Sequence, residues 1–436
     1  MTNRNREQLS FPGCKGRVVE ADFSGGNVTS DGGILLLRQA DRFLGLTAAA
    51  AKGLEDPRRR ASCDHSQLDM LRQRIYGLAL GYEDLNDHDS LRHDLAWQTA
   101  VERGKPAASS PTLCRLENRA GREAAVAMHE VLIDQFIASH PEAPTELILD
   151  FDATDDPVHG HQVGRFFQGY YDSYCFLPLY VFCGDQLLVS YLRPSNIDGA
   201  RHAWAILALL VKRLREAWPQ VRIVFRADSG FCRWRMLRWC DGHEVFYIVG
   251  LAKNTRINKL AAPLIEKARK RFDATGRKQR LFGSPRYAAL SWDRERRVIA
   301  RIEHGGKGSN PRYVVTNLPG NPKQLYERIY CARGEMENRI KEQKMLFADR
   351  TSAHNWWPNQ FRLLLSSMAY VLLETIRRLG LKGTELARAQ VVTIRLKLLK
   401  IGAVILRNTR RVRFLLSSAH PYQPLFRLVA ARLKPG

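Results

Sequence analysis

Between Ser66 and His140 apolar residues recur at helical spacing, as Leu68, Leu71, Ile75 and Leu78 and later as Val126, Val131, Ile133 and Phe136. Polar stretches at residues 84–94 and 105–110 break the pattern. A mainly helical N-terminal region over residues 1–145 is predicted, preceded by a strand-like alternation at residues 17–23 and an amphipathic helix over residues 34–44. At Glu146 the pattern changes. Residues 147–152, 177–182, 187–192, 221–225 and 245–249 are short apolar runs of the kind buried in a central sheet, and helical segments at residues 200–217 and 233–240 lie between them. This predicts an α/β layer architecture whose early strands are joined by hairpins and whose later ones need helical crossovers. Over residues 254–320 the alternation stops, and residues 287–292, 298–303 and 313–316 read as antiparallel strands, so an all-β insertion is expected there. Residues 323–378 are helical again, and a basic, aliphatic C-terminal region over residues 379–436 is expected to be helical.

At 436 residues the chain is longer than one hydrophobic core usually serves, which excludes a single small binding module. Charge changes the picture more. Lys and Arg number 68 against 44 Asp and Glu, a net +24, and the excess is localised. Residues 253–301 hold 15 basic and 4 acidic residues, residues 361–436 hold 15 and 2, and the rest is neutral. Two regions thus read as surfaces for a polyanion, with DNA or RNA the leading partner; solvated basic faces are the alternative.

The eight cysteines form no C-x-x-C pair and are too sparse for a disulfide framework or a zinc ribbon, so reduced thiols in a cytoplasmic protein are expected. The longest uncharged apolar stretch, residues 363–373, is well short of the ~20 residues that span a bilayer, and no membrane association is expected.

Two carboxylates end apolar strands, the place where open α/β sheets set their ligands: Asp152 in Leu149-Asp-Phe-Asp-Ala-Thr and Asp228 in Phe225-Arg-Ala-Asp-Ser-Gly-Phe. Each alone could be a helix N-cap. Asp150 shares a strand face with Asp152 and remains the alternative ligand; Asp152 is favoured because it lies nearer the strand end. A third acid comes from the segment Tyr330 to Lys344, read as one helix. At about 100° per residue Tyr330, Arg333, Glu337, Lys341 and Lys344 fall within one face, a carboxylate among three cations and a tyrosine. An exposed, salt-bridged helix is the alternative. Three hard oxygen donors beside phosphate-seeking cations suggest phosphodiester cleavage or transfer, with two Mg2+ or Mn2+ ions as cofactors.

The spacing Y-x2-R-x3-E-x6-K, filled by Tyr330, Arg333, Glu337 and Lys344, resembles the Y-R-E-K signature of bacterial insertion-sequence DDE transposases. Asp152-Ala-Thr and Ala227-Asp-Ser resemble that family's two Asp motifs. The text from Leu71 to His88 and His354-Asn-Trp-Trp-Pro-Asn-Gln-Phe-Arg is similar to the group-one DDE transposases, the branch called thirteen-eighty, and the likeness covers nearly the whole chain. The resemblance implies an RNase H-like catalytic core interrupted by a β insertion, Asp152, Asp228 and Glu337 as catalytic metal ligands, and Tyr330, Arg333, Lys341 and Lys344 as DNA contacts. It implies cut-and-paste transposition by a homodimer acting on double-stranded DNA, both the inverted-repeat ends and the target. The separation of 109 positions from Asp228 to Glu337 leaves room for the insertion. Relatives with that insertion hold a flipped base on one of its tryptophans during hairpin formation, and Trp292, the sole tryptophan of residues 254–320, would inherit the role; a sheet-core residue is the other reading.

Overall fold

A computed structural model describes residues 8–434 and divides the chain into two compact units, one formed by residues up to Glu117 together with those from Leu372, the other by Asn118–Val371. Among the described residues no helix is long and apolar enough to cross a membrane.

The second unit is built on a mixed sheet. Its first five strands are β1 (Glu146–Ala153), β2 (Leu179–Cys183), β3 (Gln186–Tyr191), β4 (Arg222–Ala227) and β5 (Phe246–Leu251), in the spatial order β3-β2-β1-β4-β5. The pairs β1–β2 and β2–β3 are antiparallel, whereas β4 runs parallel to both β1 and β5. A tight hairpin joins β2 to β3, a longer connection with a small sheet of its own joins β1 to β2, and helices α2 (Ala203–Ala217) and α3 (Trp234–Gly242) make the crossovers that parallel strands require. Alternation sorts the side chains: Leu147, Leu149, Phe151, Ile223, Phe225 and Ala227 enter the larger core on one face, while Ile148, Val224 and Ile248 enter a smaller one on the other. Helix α1 (Arg122–Ala138), which the sequence places with the N-terminal region, belongs to this unit. Its Phe136 sits in the larger core and its His129 Nε2 meets the Ser190 carbonyl oxygen of β3 at 3.1 Å.

Residues 254–320 are not all β. They open with the 21-residue helix α4 (Thr255–Thr275), which carries Pro263 in its interior. Its buried positions Ile257, Ala261 and Ala268 keep helical spacing, but Pro263 and the surrounding basic residues dilute the signal. Nor do the strands that follow form a body of their own. β6 (Gln279–Gly283), β7 (Arg296–Gly305) and β8 (Gly308–Thr316) extend the central sheet, with β8 antiparallel to β5. Val298, Ala300, Tyr313 and Val315 therefore continue the larger core.

In the first unit the two ends of the chain fold together. Strands Ala403–Arg407 and Val412–Leu416 form a hairpin whose edge pairs with Val28–Thr29, so the C-terminal region is not wholly helical as expected. Asn408 makes the turn, its side-chain oxygen accepting from the Arg410 and Arg411 amides. The buried Asp31 accepts from Lys400, Tyr82 and Trp97 at 2.8, 2.8 and 3.2 Å, which ties residues of the N-terminal helices to the C-terminal segment. The helix at residues 34–44 is where the sequence pattern sets it.

Candidate active site

Asp152 and Asp228 stand beside each other at the C-terminal ends of parallel neighbours. Register pairs Phe151 with Ala227, and the next residue of each strand direction is the acid. Asp152 lies on the face of the smaller core, since Leu149 and Phe151 turn the other way. Asp228 follows β4 directly and caps a short turn, its Oδ1 accepting from the Gly230 amide at 2.8 Å.

Asp150 has a different task. It is 2% exposed and takes both forks of Arg226, whose Nε and Nη2 donate to its two oxygens at 2.5 and 2.6 Å. The third arm, Arg226 Nη1, donates to the Ile329 carbonyl oxygen at 2.5 Å. Burial pushes the Asp150 carboxyl above its usual range even though the Arg226 hydrogen bonds pull it down. Asp150 thus fastens the segment before Tyr330 to the sheet, and Asp152 is the acid at the open strand end.

The segment Tyr330 to Lys344 is not one α-helix. A π-helical turn over Leu325–Tyr330 and a 3-10 turn over Cys331–Arg333 precede α5 (Gly334–Met345). Such turns change the angular step, so Tyr330 and Arg333 leave the helical wheel. Tyr330 is directed instead at β5: a Cβ built on Gly250 would lie 2.7 Å from its hydroxyl oxygen and 2.7 Å from the Ser229 amide nitrogen. Only glycine fits there. Burial raises the Tyr330 phenol to about 12 against the pull of Arg333, so the hydroxyl keeps its proton.

Arg333 is the centre of the cluster. Its Nη1 donates to Asp152 Oδ2 at 2.9 Å and its Nη2 to Glu337 Oε1 at 3.4 Å, so one guanidinium bridges groups 181 residues apart in sequence. Burial lowers the guanidinium pKa, but Asp152 and Asp228 outweigh it and hold the group charged. Lys344 Nζ donates to the Asp155 carbonyl oxygen at 2.9 Å and stands 3.5 Å from the Asp155 carboxylate. Lys341 is exposed on α5.

Trp292 is not part of this cluster. It packs against the larger core, on the opposite face of the sheet from Asp152, with its ring edge-on to Tyr287 at 5.4 Å and the Arg296 guanidinium 5.6 Å from its centre. Arg296 is itself held by Asp241 and Asp293 at 3.0 and 2.9 Å. Trp292 is thus partly buried against the sheet core, beside the strand that follows it.

The donor set at the strand ends is all hard oxygen, the kind that Mg2+ and Mn2+ take. Burial, with the neighbouring Asp228 charge adding to it, pushes the Asp152 carboxyl to about 6 despite Arg333. Two adjacent acids sharing one guanidinium fit a further cation. Among the described residues no three His, Cys, Asp or Glu side chains stand together as a metal cluster, and Glu337 lies across Arg333 from Asp152. Asp152 and Asp228 could hold an ion as neighbours, and Glu337 could join once the guanidinium yields its place.

These features define a class: an α/β protein that gathers acids and bases at one end of a mixed sheet. The profile described as Transposase DDE domain group 1 matches residues 11–435, and the chain belongs to that family. Its general activity is phosphodiester cleavage and transfer, generally with divalent metal ions. Among curated proteins nothing matches. Among solved structures the chain is similar to a piggyBac transposase, in a cryo-EM synaptic complex with hairpin DNA, at 11% identity and a TM-score of 0.42 over 84% of this chain and 79% of that one.

Proposed function

We propose that this protein is the cut-and-paste transposase of a bacterial insertion sequence of the thirteen-eighty branch, acting in the cytoplasm as a homodimer on double-stranded DNA. In this reading the strands β1 to β5 are an RNase H-like core. Their order, three antiparallel strands followed by two that run parallel to the first, supports it. Asp152, Asp228 and Glu337 are the catalytic acids and would hold two Mg2+ or Mn2+ ions, which supply Lewis-acid activation of the attacking and leaving oxygens when bound.

The chain's own groups do the rest. Arg333 gathers Asp152 and Glu337, and its guanidinium is at hand for a phosphate once an ion takes over the acids. Lys344, fixed by the Asp155 carbonyl, and the exposed Lys341 place further positive charge along the same approach, where phosphate contacts set register without reading sequence. Tyr330, protonated at neutral pH, is a hydroxyl donor packed beside Asp228.

The observation that carries the reading is the Arg333 bridge, since it unites the Y-R-E-K segment with the first Asp motif across 181 residues. Purified protein is to be incubated with labelled element-end DNA and Mg2+ or Mn2+, and the products resolved on a denaturing gel. Nicked and joined products are expected. Cleavage without joined products would make the protein a metal-dependent nuclease, and binding without cleavage a non-catalytic descendant.

A further inference from the structure

Between β1 and β2 the chain builds a small sheet from Asp156–Pro157, Phe166–Gln168 and Ser173–Phe176, with the last of these in the middle. It is held at several points. Ser195 Oγ donates to the Phe166 carbonyl oxygen at 2.8 Å, Gln168 Nε2 donates to the Ser195 carbonyl oxygen at 2.9 Å, and the Val163 amide donates to the His354 carbonyl oxygen at 2.8 Å. Gly164 lies so close to Trp356 that a Cβ would come within 2.6 Å of the ring.

This anchored element turns aromatic rings to solvent. Phe167 is 54% exposed, Tyr170 87% and Tyr174 49%. Register pairs Phe167 with Tyr174, so both rings share one face, and they meet edge to face at 5.6 Å. Tyr170 stands perpendicular to Tyr171 at 4.9 Å. The Arg165 guanidinium lies 4.5 Å from the centre of the Tyr174 ring, and its Nη2 is 2.9 Å from His161 Nδ1. Rings fixed against one another in water have lost rotamer freedom without the burial that usually compensates it, which is the condition of a surface prepared for a flat ligand.

The element adjoins the candidate active site. Its first strand starts four residues after Asp152, and Tyr171 feels the charges of Asp155 and Asp152, which together with burial raise its phenol to about 12. A ligand lying on the acids would reach the rings with its neighbouring part. For a DNA strand this division is natural: phosphates go to Arg333 and Lys344, and neutral ring faces are left for bases, with Arg165 at their edge. A fully paired duplex offers no base face, so the occupant must be unpaired.

We propose that the exposed rings of Phe167, Tyr170 and Tyr174 are a stacking platform for unpaired nucleobases of the DNA strand whose phosphates lie along Arg333 and Lys344. The proposal rests on the DNA reading of this site. It is tested by measuring binding in Ca2+, another hard cation for the carboxylates, to two element-end duplexes, one fully paired and one with two mismatched positions flanking the cleavage point, the latter carrying 2-aminopurine as a fluorescent base. In the wild type the fluorescence is quenched, and the mismatched duplex binds more tightly. In Tyr170→Ala and in Phe167→Ala/Tyr174→Ala the quench is lost and the ratio of the two affinities falls on the order of tenfold per stacked base, while Tyr170→Phe retains both. Phe167→Leu, which keeps the apolar packing without a ring, should behave like the alanine variants and so separates stacking from folding. An affinity ratio that all variants keep would overturn the platform while leaving the DNA reading intact. A wild type that binds neither duplex would overturn the DNA reading and the platform with it.

Discussion

Arg226→Met puts the deepest demand on the assignment of Asp150. The side chain being removed is 7% exposed and donates three hydrogen bonds, two to a carboxylate that is 2% exposed and one to the Ile329 carbonyl oxygen. Met fills most of the volume, so the cost comes from the charge left behind. Stripping one partner from a buried pair costs about 3–5 kcal/mol, a large part of the ~5–15 kcal/mol that holds a typical protein folded. Urea unfolding followed by circular dichroism reads it as a lower midpoint at unchanged slope. The loss must also depend on pH. Burial already raises the Asp150 carboxyl, and without Arg226 nothing opposes the rise. A carboxyl whose folded pKa exceeds its unfolded one is favourable below the unfolded pKa and loses that contribution as pH rises through the folded one. The penalty of Arg226→Met should therefore be smaller at pH 5 than at pH 8. Adding Asp150→Leu should recover most of the stability, because an apolar pair of similar volume replaces an ion pair at little cost. A loss under about 1 kcal/mol at both pH values, well below the 3–5 expected for a buried pair, would refute the reasoning. So would a double variant that is stable yet wholly devoid of metal-dependent cleavage, since Asp150 would then be a ligand.

Other consequences follow from the same geometry. Asp152→Asn should stabilise the metal-free protein: with the folded carboxyl at about 6, its ionisation costs stability only as pH rises through that value, so calorimetry should show a gain of at most roughly 3 kcal/mol at pH 8 and none at pH 4. A gain at pH 4 would contradict the burial argument. Gly250→Ala drives a methyl against the Tyr330 hydroxyl and the Ser229 amide, and should cost about 1–3 kcal/mol in unfolding experiments and lower the cleavage rate as well. Normal activity in that variant would mean that Tyr330 has no fixed place in the site. Trp292→Ala should lose stability toward the lower end of the ~3–5 kcal/mol of large aromatic truncations, with every catalytic step falling together. A stable variant defective in a single later step would make Trp292 a DNA contact.

The strand-end acids were legible because largely apolar runs lead up to them, so that Asp152 and Asp228 stand out where a core strand meets solvent. Glu337 and Arg333 were legible through spacing, although a wheel of constant step could not foresee the π and 3-10 turns that send Tyr330 to Gly250. Arg226 was missed. It is the one buried charge of β4, and its partner Asp150 lies 76 residues earlier, so only matching two charged anomalies on neighbouring strands could have found the pair. Helix α4 was hidden by Pro263 and by basic residues around its buried stripe. The packing of Trp292 was not legible, because being the only tryptophan of a segment says nothing of the face it occupies, and that is decided when β7 and β8 join the central sheet. The aromatic sheet after Asp156 gave no signal, because its strands are two to four residues long and owe their place to contacts with Ser195, His354 and Trp356.

In the proposed function three acids, drawn from two strands and a helix far apart in sequence, act as one site. Glu337→Ala tests it most directly, because Glu337 meets Asp152 only through Arg333. Binding and cleavage of labelled element-end DNA should be measured on the same protein, with and without Mg2+ or Mn2+. The account predicts that Glu337→Ala abolishes metal-dependent cleavage and keeps end binding within a few-fold of wild type, since a metal ligand and not a phosphate contact has been removed. Cleavage at the wild-type rate by Glu337→Ala would contradict it.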